Sequence, residues 1–274
     1  MTQAARKSFI STAAASNRIK KLEQQLAVRL LYRDSQGVEL TSAGSTFVKH
    51  ARIILRQAQH LQNELSEFSD QHVGHIRIFA NTTAVTDFLP EVLAVLMVQH
   101  PQLSIDLQER ANLEVVRGVS EGASDIGITA GPIKASGLEV IQFSTDRLVL
   151  ATQRGHPLAQ LPSVDLAATL DYPQICLQEG SSLLRFLKNQ VDNLQRDLNV
   201  RIQVFGFESM CRMIEAGVGI GILPESSASR HQQTMDLQII QLNESWALRE
   251  RSIVLRDSHA LPEYVKTLIK LLVN

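Results

Sequence analysis

The chain has 274 residues, room for two or three modules with sizeable cores, and its 44% hydrophobic and 20% charged residues are a globular balance that excludes a disordered chain. Its two cysteines, Cys176 and Cys211, lie far apart without CxxC or Cys/His spacing, so neither a disulfide framework nor a metal site is expected. The longest apolar run, residues 92–98, is far too short to span a bilayer, and the first thirty residues hold no apolar core of secretory length; a reducing cytoplasm and no membrane contact are expected.

The net charge of -1 conceals an asymmetry. Residues 1–60 carry ten Lys or Arg against three acids, Glu23, Asp34 and Glu39, which leaves 17 basic and 25 acidic groups in the rest. A basic head on an acidic body is the footprint of nucleic-acid binding, because phosphate neutralisation supplies most sequence-independent affinity; a solvated charged surface is the alternative. Residues 11 to about 29 read as a helix capped by Ser11 or Thr12, with Ala15, Ile19, Leu22 and Leu26 as its core stripe. The opposite face presents Thr12, Ala13, Ser16, Asn17, Lys20 and Lys21, small and polar groups followed by cations, which suits a helix whose N-terminal end enters a major groove. Residues 30–33, a turn at 34–37 and an alternating segment at 38–41 read as a hairpin-like wing.

Residues 4–44 resemble the winged helix-turn-helix of LysR-type transcriptional regulators. The resemblance is carried by Ala4-Ala5, Ser11, Ser16, Ile19, Leu22-Glu23, Leu26, Leu30, Arg33 and the closing Leu40-Thr41-Ser42-Ala43-Gly44. Thr12 stands where the family usually has Gln, and Ser8 where it usually has an apolar residue. Met1-Thr2-Gln3 aligns with the end of the family's first-helix segment, so a module lacking most of that helix is expected. The resemblance implies double-stranded DNA as partner, contacted by Ser11, Thr12, Ala13, Ser16, Asn17, Lys20, Lys21, Arg29 and Arg33.

After the wing, Phe47, Ala51, Ile54, Ala58, Leu61, Leu65 and Phe68 recur at steps of four and three, the heptad pattern of a coiled-coil seam. A linker helix over residues 45–73 that pairs two chains is expected; an amphipathic helix lying on its own domain is the alternative. From residue 74 onward short strands alternate with helices of ten or more residues, the pattern of parallel sheets with helical crossovers. Strands are expected at HIRIFA, LSIDLQER, DIGITA, RLVLAT, QICLQ, RIQVFGF, VGIGILP, LQIIQL and RSIVLR. Helices are expected over about residues 88–100, 113–121, 182–198, 209–216 and 262–273.

The LysR resemblance continues through Leu89-Pro90, His100-Pro101, residues 122–128, His156-Pro157-Leu158-Ala159 and residues 217–224. It implies a fold of an all-α winged helix-turn-helix at 1–44, a linker helix at 45–73 and an α/β effector-binding domain at 74–274. That domain is expected as two Rossmann-like lobes of the periplasmic-binding-protein type II kind, lobe I about 74–148 and 254–274 and lobe II about 154–246, with crossovers near 148–154 and 246–253. Homodimers or homotetramers, a small-molecule effector and a contact with RNA polymerase are the further partners it implies.

Ligands of open α/β sheets sit beyond the carboxyl ends of strands, where helix N-termini offer free N–H groups. Thr82 and Thr83 follow one strand, Thr129, Ala130 and Gly131 close another, and Gln178, Ser181, Ser182, Phe207 and Glu208 follow two more, so these ten residues are the expected effector site. The hydroxyls favour a carboxylate or other anion; helix capping is the alternative for each, and Glu208 would repel an anion if it faced the cavity. No enzyme is expected. The glycines of residues 217–221 follow a helix and enter a strand, the reverse of a dinucleotide loop, there is no GxSxG, P-loop or HExxH, and His156 reads as a turn residue rather than a base. A solute-binding protein without DNA binding and a regulator that has lost DNA binding are the alternatives.

Overall fold

The computed structural model describes residues 6, 9–33, 37–66, 74–259 and 261–273, with backbone alone for 56, 59, 60 and 62–66. The expectations for a shortened first helix, for Ser8, for the tip of the wing and for Phe68 fall outside the described residues. The chain forms two compact units, Met1–Leu61 and Gln62–Asn274.

In the first unit, helix α1 (Thr12–Leu26) starts where the Ser11 hydroxyl accepts the Ala14 N–H, and ends at Ala27 in the left-handed region, whose N–H donates to Gln24 and Glu23 carbonyls. None of its side chains is fully buried: Ala15, Ile19 and Leu22 are half-buried and Leu26 is 45% exposed. The expected core stripe is thus only half covered, since a unit this small has little interior to offer. Strands β1 (Leu31–Arg33) and β2 (Val38–Leu40) pair antiparallel, Leu31 against Leu40, and form the wing. Buried Thr41 donates its hydroxyl to the Arg29 carbonyl at 2.7 Å and accepts the Gly44 N–H at 2.9 Å, opening helix α2 (Ser42–Ser66). Gly44 lies against the Leu30 carbonyl, where any Cβ would collide with backbone. The Thr-Ser-Ala-Gly sequence therefore has a local physical reason.

The second unit is a pair of α/β lobes sharing two strands. Lobe I begins with β3 (His75–Ala80), α3 (Thr82–Asp87), α4 (Leu89–Gln99), β4 (Ser104–Glu109), α5 (Asn112–Ser120) and β5 (Ile126–Ala130), with β4, β3 and β5 parallel in that order. β6 (Glu139–Gln153) then pairs through Arg147 with β12 (Leu248–Leu255) in lobe I, and from Leu148 onward with the strands of lobe II. The strands of lobe II are β7 (Ser163–Val164), β8 (Gln174–Leu177), β9 (Val200–Val204), β10 (Gly221–Pro224) and β11 (Leu237–Leu242); β6 pairs with β10 and β11, β7 with β11, and β8 and β9 form a parallel pair of their own. Helices α6 (Leu166–Thr169), α7 (Ser182–Asp192), α8 (Phe207–Glu215) and α9 (Glu225–Gln232) cover lobe II, and α10 (Glu263–Val273) returns to lobe I.

Three sequence readings change. The sheets are mixed, because β6 and β12 run antiparallel to their neighbours as they pass between lobes. β6 starts eight residues earlier than its expected start at Arg147, since the alternating pattern of residues 139–146 is broken by polar Thr145 and Asp146, which pair with β12 only in the fold. α7 stops at Asp192 rather than near 198, and Gln195 adopts φ 53°. Each lobe has its own core: Ile76, Ile78, Leu89, Leu96, Ile128 and Leu268 in lobe I, and Leu148, Leu150, Ile175, Met210, Ile214 and Leu223 in lobe II.

Candidate functional site

Two surfaces carry the chemistry, one in each unit. In the first unit Thr12, Ala13, Asn17, Lys20, Lys21, Arg29 and Arg33 are exposed and Ser16 is half-buried. The Arg33 guanidinium donates to the Ser16 hydroxyl at 2.9 Å and pairs with Glu23 at 3.5 Å, which ties the wing to α1. Glu23 also accepts the N–H groups of Leu30 at 2.8 Å and Leu31 at 3.1 Å. Those two backbone donors, and then Arg33 and Arg29, hold its carboxyl below the usual range. Lys20, Arg29 and Arg33 line one recess together with Tyr32, which is 62% exposed. Of the nine expected DNA contacts, Ser11 spends its hydroxyl on the helix cap. Tyr32 and the positioning role of Glu23 were not expected from the sequence, although both lie inside the motif.

In the second unit Thr82, Gln178, Ser181 and Ser182 line one cleft of about 440 Å³ between the lobes. Ser182 also lines a second cavity with Ala130, on the flank where α5 faces α7. The remaining expected residues stand elsewhere. Thr83 is buried in the first turn of α3; buried Thr129 donates to the Ser252 carbonyl at 3.4 Å; and Gly131, at φ +82°, donates its N–H to the Glu250 carbonyl at 2.8 Å. Phe207 packs in the core of lobe II, and Glu208 is exposed and lines neither cavity.

The residue that joins the lobes, Asn112, gave no signal in the sequence. Its N–H donates to the Ser182 hydroxyl at 2.6 Å, its amide nitrogen to the Ala130 carbonyl at 2.8 Å, and its amide oxygen accepts from Asn81 at 3.2 Å. Asn81 in turn caps α3 by accepting the Ala84 N–H. Thr82 donates to Glu109 at 2.6 Å, and Ser181 caps α7 through the Leu184 N–H. This mouth of the cleft also carries Glu114, Glu179 and Arg110, so that three carboxylates face one guanidinium. Glu179 is held low by Lys188 and Gln203, which donate to it.

A second polar junction lies at the other end of α3. The Asp87 carboxylate accepts the hydroxyls of Ser226 at 2.5 Å and Ser227 at 2.7 Å, and Arg230 donates to the carbonyls of Thr86 and Asp87 at 2.8 and 2.9 Å. Where the shared strands cross, buried Asp146 pairs with buried Arg249 and lies 3.5 Å from Arg251, which stacks over Phe88. α3 thus runs from the cleft to a latch on lobe II.

His156 accepts the Leu158 N–H and packs edge-on against Tyr172, and burial holds its pKa down. Both thiols are buried, Cys176 pushed up to about 11 and Cys211 to about 12 by desolvation. Among the described residues no group of three or more His, Cys, Asp or Glu is placed to hold a metal ion, and no helix is long and apolar enough to cross a membrane.

Against known proteins, residues 69–274 match the family model of the LysR substrate binding domain, and residues 1–45 that of the bacterial regulatory helix-turn-helix protein, lysR family. The chain belongs to the LysR family of transcriptional regulators. A relative named "Probable RuBisCO transcriptional regulator" from Emiliania huxleyi is 26% identical over 273 residues, 97% of this chain and 87% of that protein. A full-length OxyR variant from Pseudomonas aeruginosa has the same fold, with a TM-score of 0.74 at 21% identity over 98% of this chain and 88% of that one. Full-length CbnR, solved in complex with its target DNA, has a TM-score of 0.64 at 20% identity over 99% and 92%. The LysR-family chain is a DNA-binding regulator whose second unit has the periplasmic-binding-protein type II-like fold of an effector-binding domain.

Proposed function

We propose that a small molecule bound between the two lobes controls how this regulator engages DNA. The observation that carries the reading is the Asn112–Ser182 contact. It is a direct hydrogen bond between lobes, made by a backbone N–H of lobe I and a hydroxyl of lobe II, at the junction of two cavities whose walls come from both lobes. A ligand that prefers one lobe arrangement shifts the population of that arrangement, and two shared strands are the means by which the shift is felt in both lobes.

On the DNA side, the N-terminal end of α1 enters the major groove with Thr12, Ala13 and Asn17 towards base edges, while Lys20, Lys21, Arg29 and Arg33 neutralise phosphates. Two chains pair along α2, where Phe47, Ile54 and Leu61 are 37%, 67% and 57% exposed at heptad spacing. A homodimer or homotetramer places two or more heads on one site, with RNA polymerase as the downstream partner. The protein acts in the cytoplasm and has no enzymatic activity: half-buried His156 serves as a cap and the two buried thiols are held protonated. No observation favours a solute-binding protein or a regulator without DNA binding.

The test is a transcriptional reporter driven by the DNA upstream of the protein's own gene. Ser182→Ala, which removes the acceptor of the Asn112 N–H, is expected to change reporter output while Lys20→Gln/Lys21→Gln abolishes regulation. A reporter indifferent to Ser182→Ala and to added metabolite extract would end the small-molecule reading and leave the DNA-binding one standing.

A further inference from the structure

The recess of the DNA-binding unit holds about 810 Å³ and brings charges of both signs to one surface. Lys20 from α1, Arg29 from the turn and Arg33 from β1 line it. Lys20 lies on the exposed side of α1 with Thr12, Ala13 and Asn17, so the recess adjoins the surface assigned to DNA. Two carboxylates share it, Glu23 and Glu39. Glu23 is committed inside the unit: it accepts the Leu30 and Leu31 N–H groups and pairs with Arg33, and its side chain is only 15% exposed. Glu39 is exposed on β2, directly opposite exposed Tyr32 on β1, and its carboxylate has no hydrogen-bond or ion-pair partner among the described residues.

A carboxylate that faces DNA meets a phosphate backbone of its own sign, and while ionised it can only accept hydrogen bonds. The donors that base pairs offer in the grooves are exocyclic amines, so such a carboxylate costs affinity at every step except where it reaches one. We propose, resting on the DNA-binding reading of α1 and the wing, that Glu39 is a specificity-determining residue: it selects a G·C pair in the minor groove beside the α1 site by accepting a hydrogen bond from the guanine N2 amine. With the N-terminal end of α1 in a major groove, the wing, tied alongside α1 by the Arg33–Ser16 hydrogen bond, lies over the adjoining phosphate ridge and the minor groove beyond it. There guanine N2 is the one donor. A·T pairs present acceptors alone and their narrow tracts concentrate negative potential, so the same carboxylate that accepts from guanine is repelled by them. Lys20, Arg29 and Arg33 hold the flanking phosphates and offset the repulsion that Glu39 brings.

The first arm of the test needs no variant. Duplexes from immediately upstream of the protein's own gene, with the positions flanking the bound site randomised, are selected on the full chain and sequenced. The flanking G·C pair is then replaced by inosine·C, which removes the N2 amine and leaves the major-groove edge as it was. Fluorescence anisotropy is expected to show about tenfold weaker binding of the inosine duplex, the size of one good base contact. Diaminopurine·T in place of A·T at the same position adds the amine and is expected to recover most of the affinity that A·T loses. Glu39→Ala, an exposed-surface change, is expected to bind guanine and inosine duplexes equally, and Glu39→Gln, whose amide also donates, to accept A·T there. No flanking G·C preference, an inosine duplex bound as tightly as the guanine one, or an inosine penalty that persists in Glu39→Ala would overturn the proposal. So would binding by Glu39→Ala that tightens uniformly on every flank, which would make Glu39 a brake on phosphate attraction alone. Absence of salt-sensitive binding to any duplex would overturn the DNA-binding reading, and this proposal with it.

Discussion

The two units of this regulator hold their shapes by different means. Among the described residues the DNA-binding unit buries one apolar side chain, Leu30, and is knitted by polar contacts: Glu23 to two backbone N–H groups, Thr41 to Arg29 and Gly44, Arg33 to Ser16. The sensor unit has an apolar core in each lobe, with polar contacts inside the lobes and further ones where the lobes meet. A short module fixed by local polar ties leaves its surface free to present small and cationic groups to DNA. A large unit with two cores can place a polar joint between them without losing either.

The largest effect that tests this contrast is expected at the strand crossing. Arg249→Ala strands buried Asp146 without its closest partner and is expected to destabilise the sensor by about 3–5 kcal/mol, seen as an earlier urea midpoint for Trp246 fluorescence. Next, Gly44→Ala places a Cβ on the Leu30 carbonyl and is expected to cost the DNA-binding unit about 3 kcal/mol or more. It should abolish DNA binding while the Trp246 midpoint stays where it was; a shift of that midpoint would show that the two units are not separately held.

Acid sharpens the comparison further. His156, in lobe II, is held below its usual 6.5 by burial, so its contribution to sensor stability is present above that value and is lost as pH falls through the lower folded value. Glu23, in the DNA-binding unit, is held below its usual 4.5 chiefly by the Leu30 and Leu31 N–H groups, so its contribution is present above 4.5 and is lost as pH falls through the folded value beneath it. On acidification the sensor should therefore begin to weaken before the DNA-binding unit does. Following Trp246 fluorescence and far-ultraviolet helix signal together, with His156→Gln and Glu23→Gln as controls, checks that order. The smallest effect concerns the thiols: Cys176 and Cys211 should ignore a disulfide reagent at about pH 8 in the native protein and react on unfolding, and fast native labelling would place a reactive cysteine at the surface.

The DNA-binding unit was legible in the sequence because its determinants are local. Ser11, Glu23, Thr41 and Gly44 act on neighbours within a short stretch of chain, so cap, turn and periodicity signals describe them. In the sensor, the strand–helix alternation was visible but its joints were not. Asn112 meets Ser182 across 70 positions, Asp146 meets Arg249 across 103, and Asp87 meets Ser227 across 140. None of these residues sits in a motif. α9, of sequence ESSASRHQ, escaped notice because its polar surface gives almost no apolar period, with Ser227 and Ala228 alone buried. Hydroxyls at strand ends did mark the cleft through Thr82, Ser181 and Ser182, while Phe207 and Thr129, chosen by the same rule, face the interior. Position along a strand foretells the level of the cleft; which way a side chain turns depends on the layer packed against it.

The most direct test of the central claim is fluorescence anisotropy of the full chain on duplex DNA from immediately upstream of its own gene, at several salt concentrations, beside Lys20→Gln/Lys21→Gln. Tight binding is expected, with affinity that falls steeply with salt and a log–log slope reduced by roughly 1.8 in the double variant, about 0.9 for each phosphate contact removed. Binding that ignores both salt and the two substitutions would contradict the account of α1 and the wing as the DNA-reading surface.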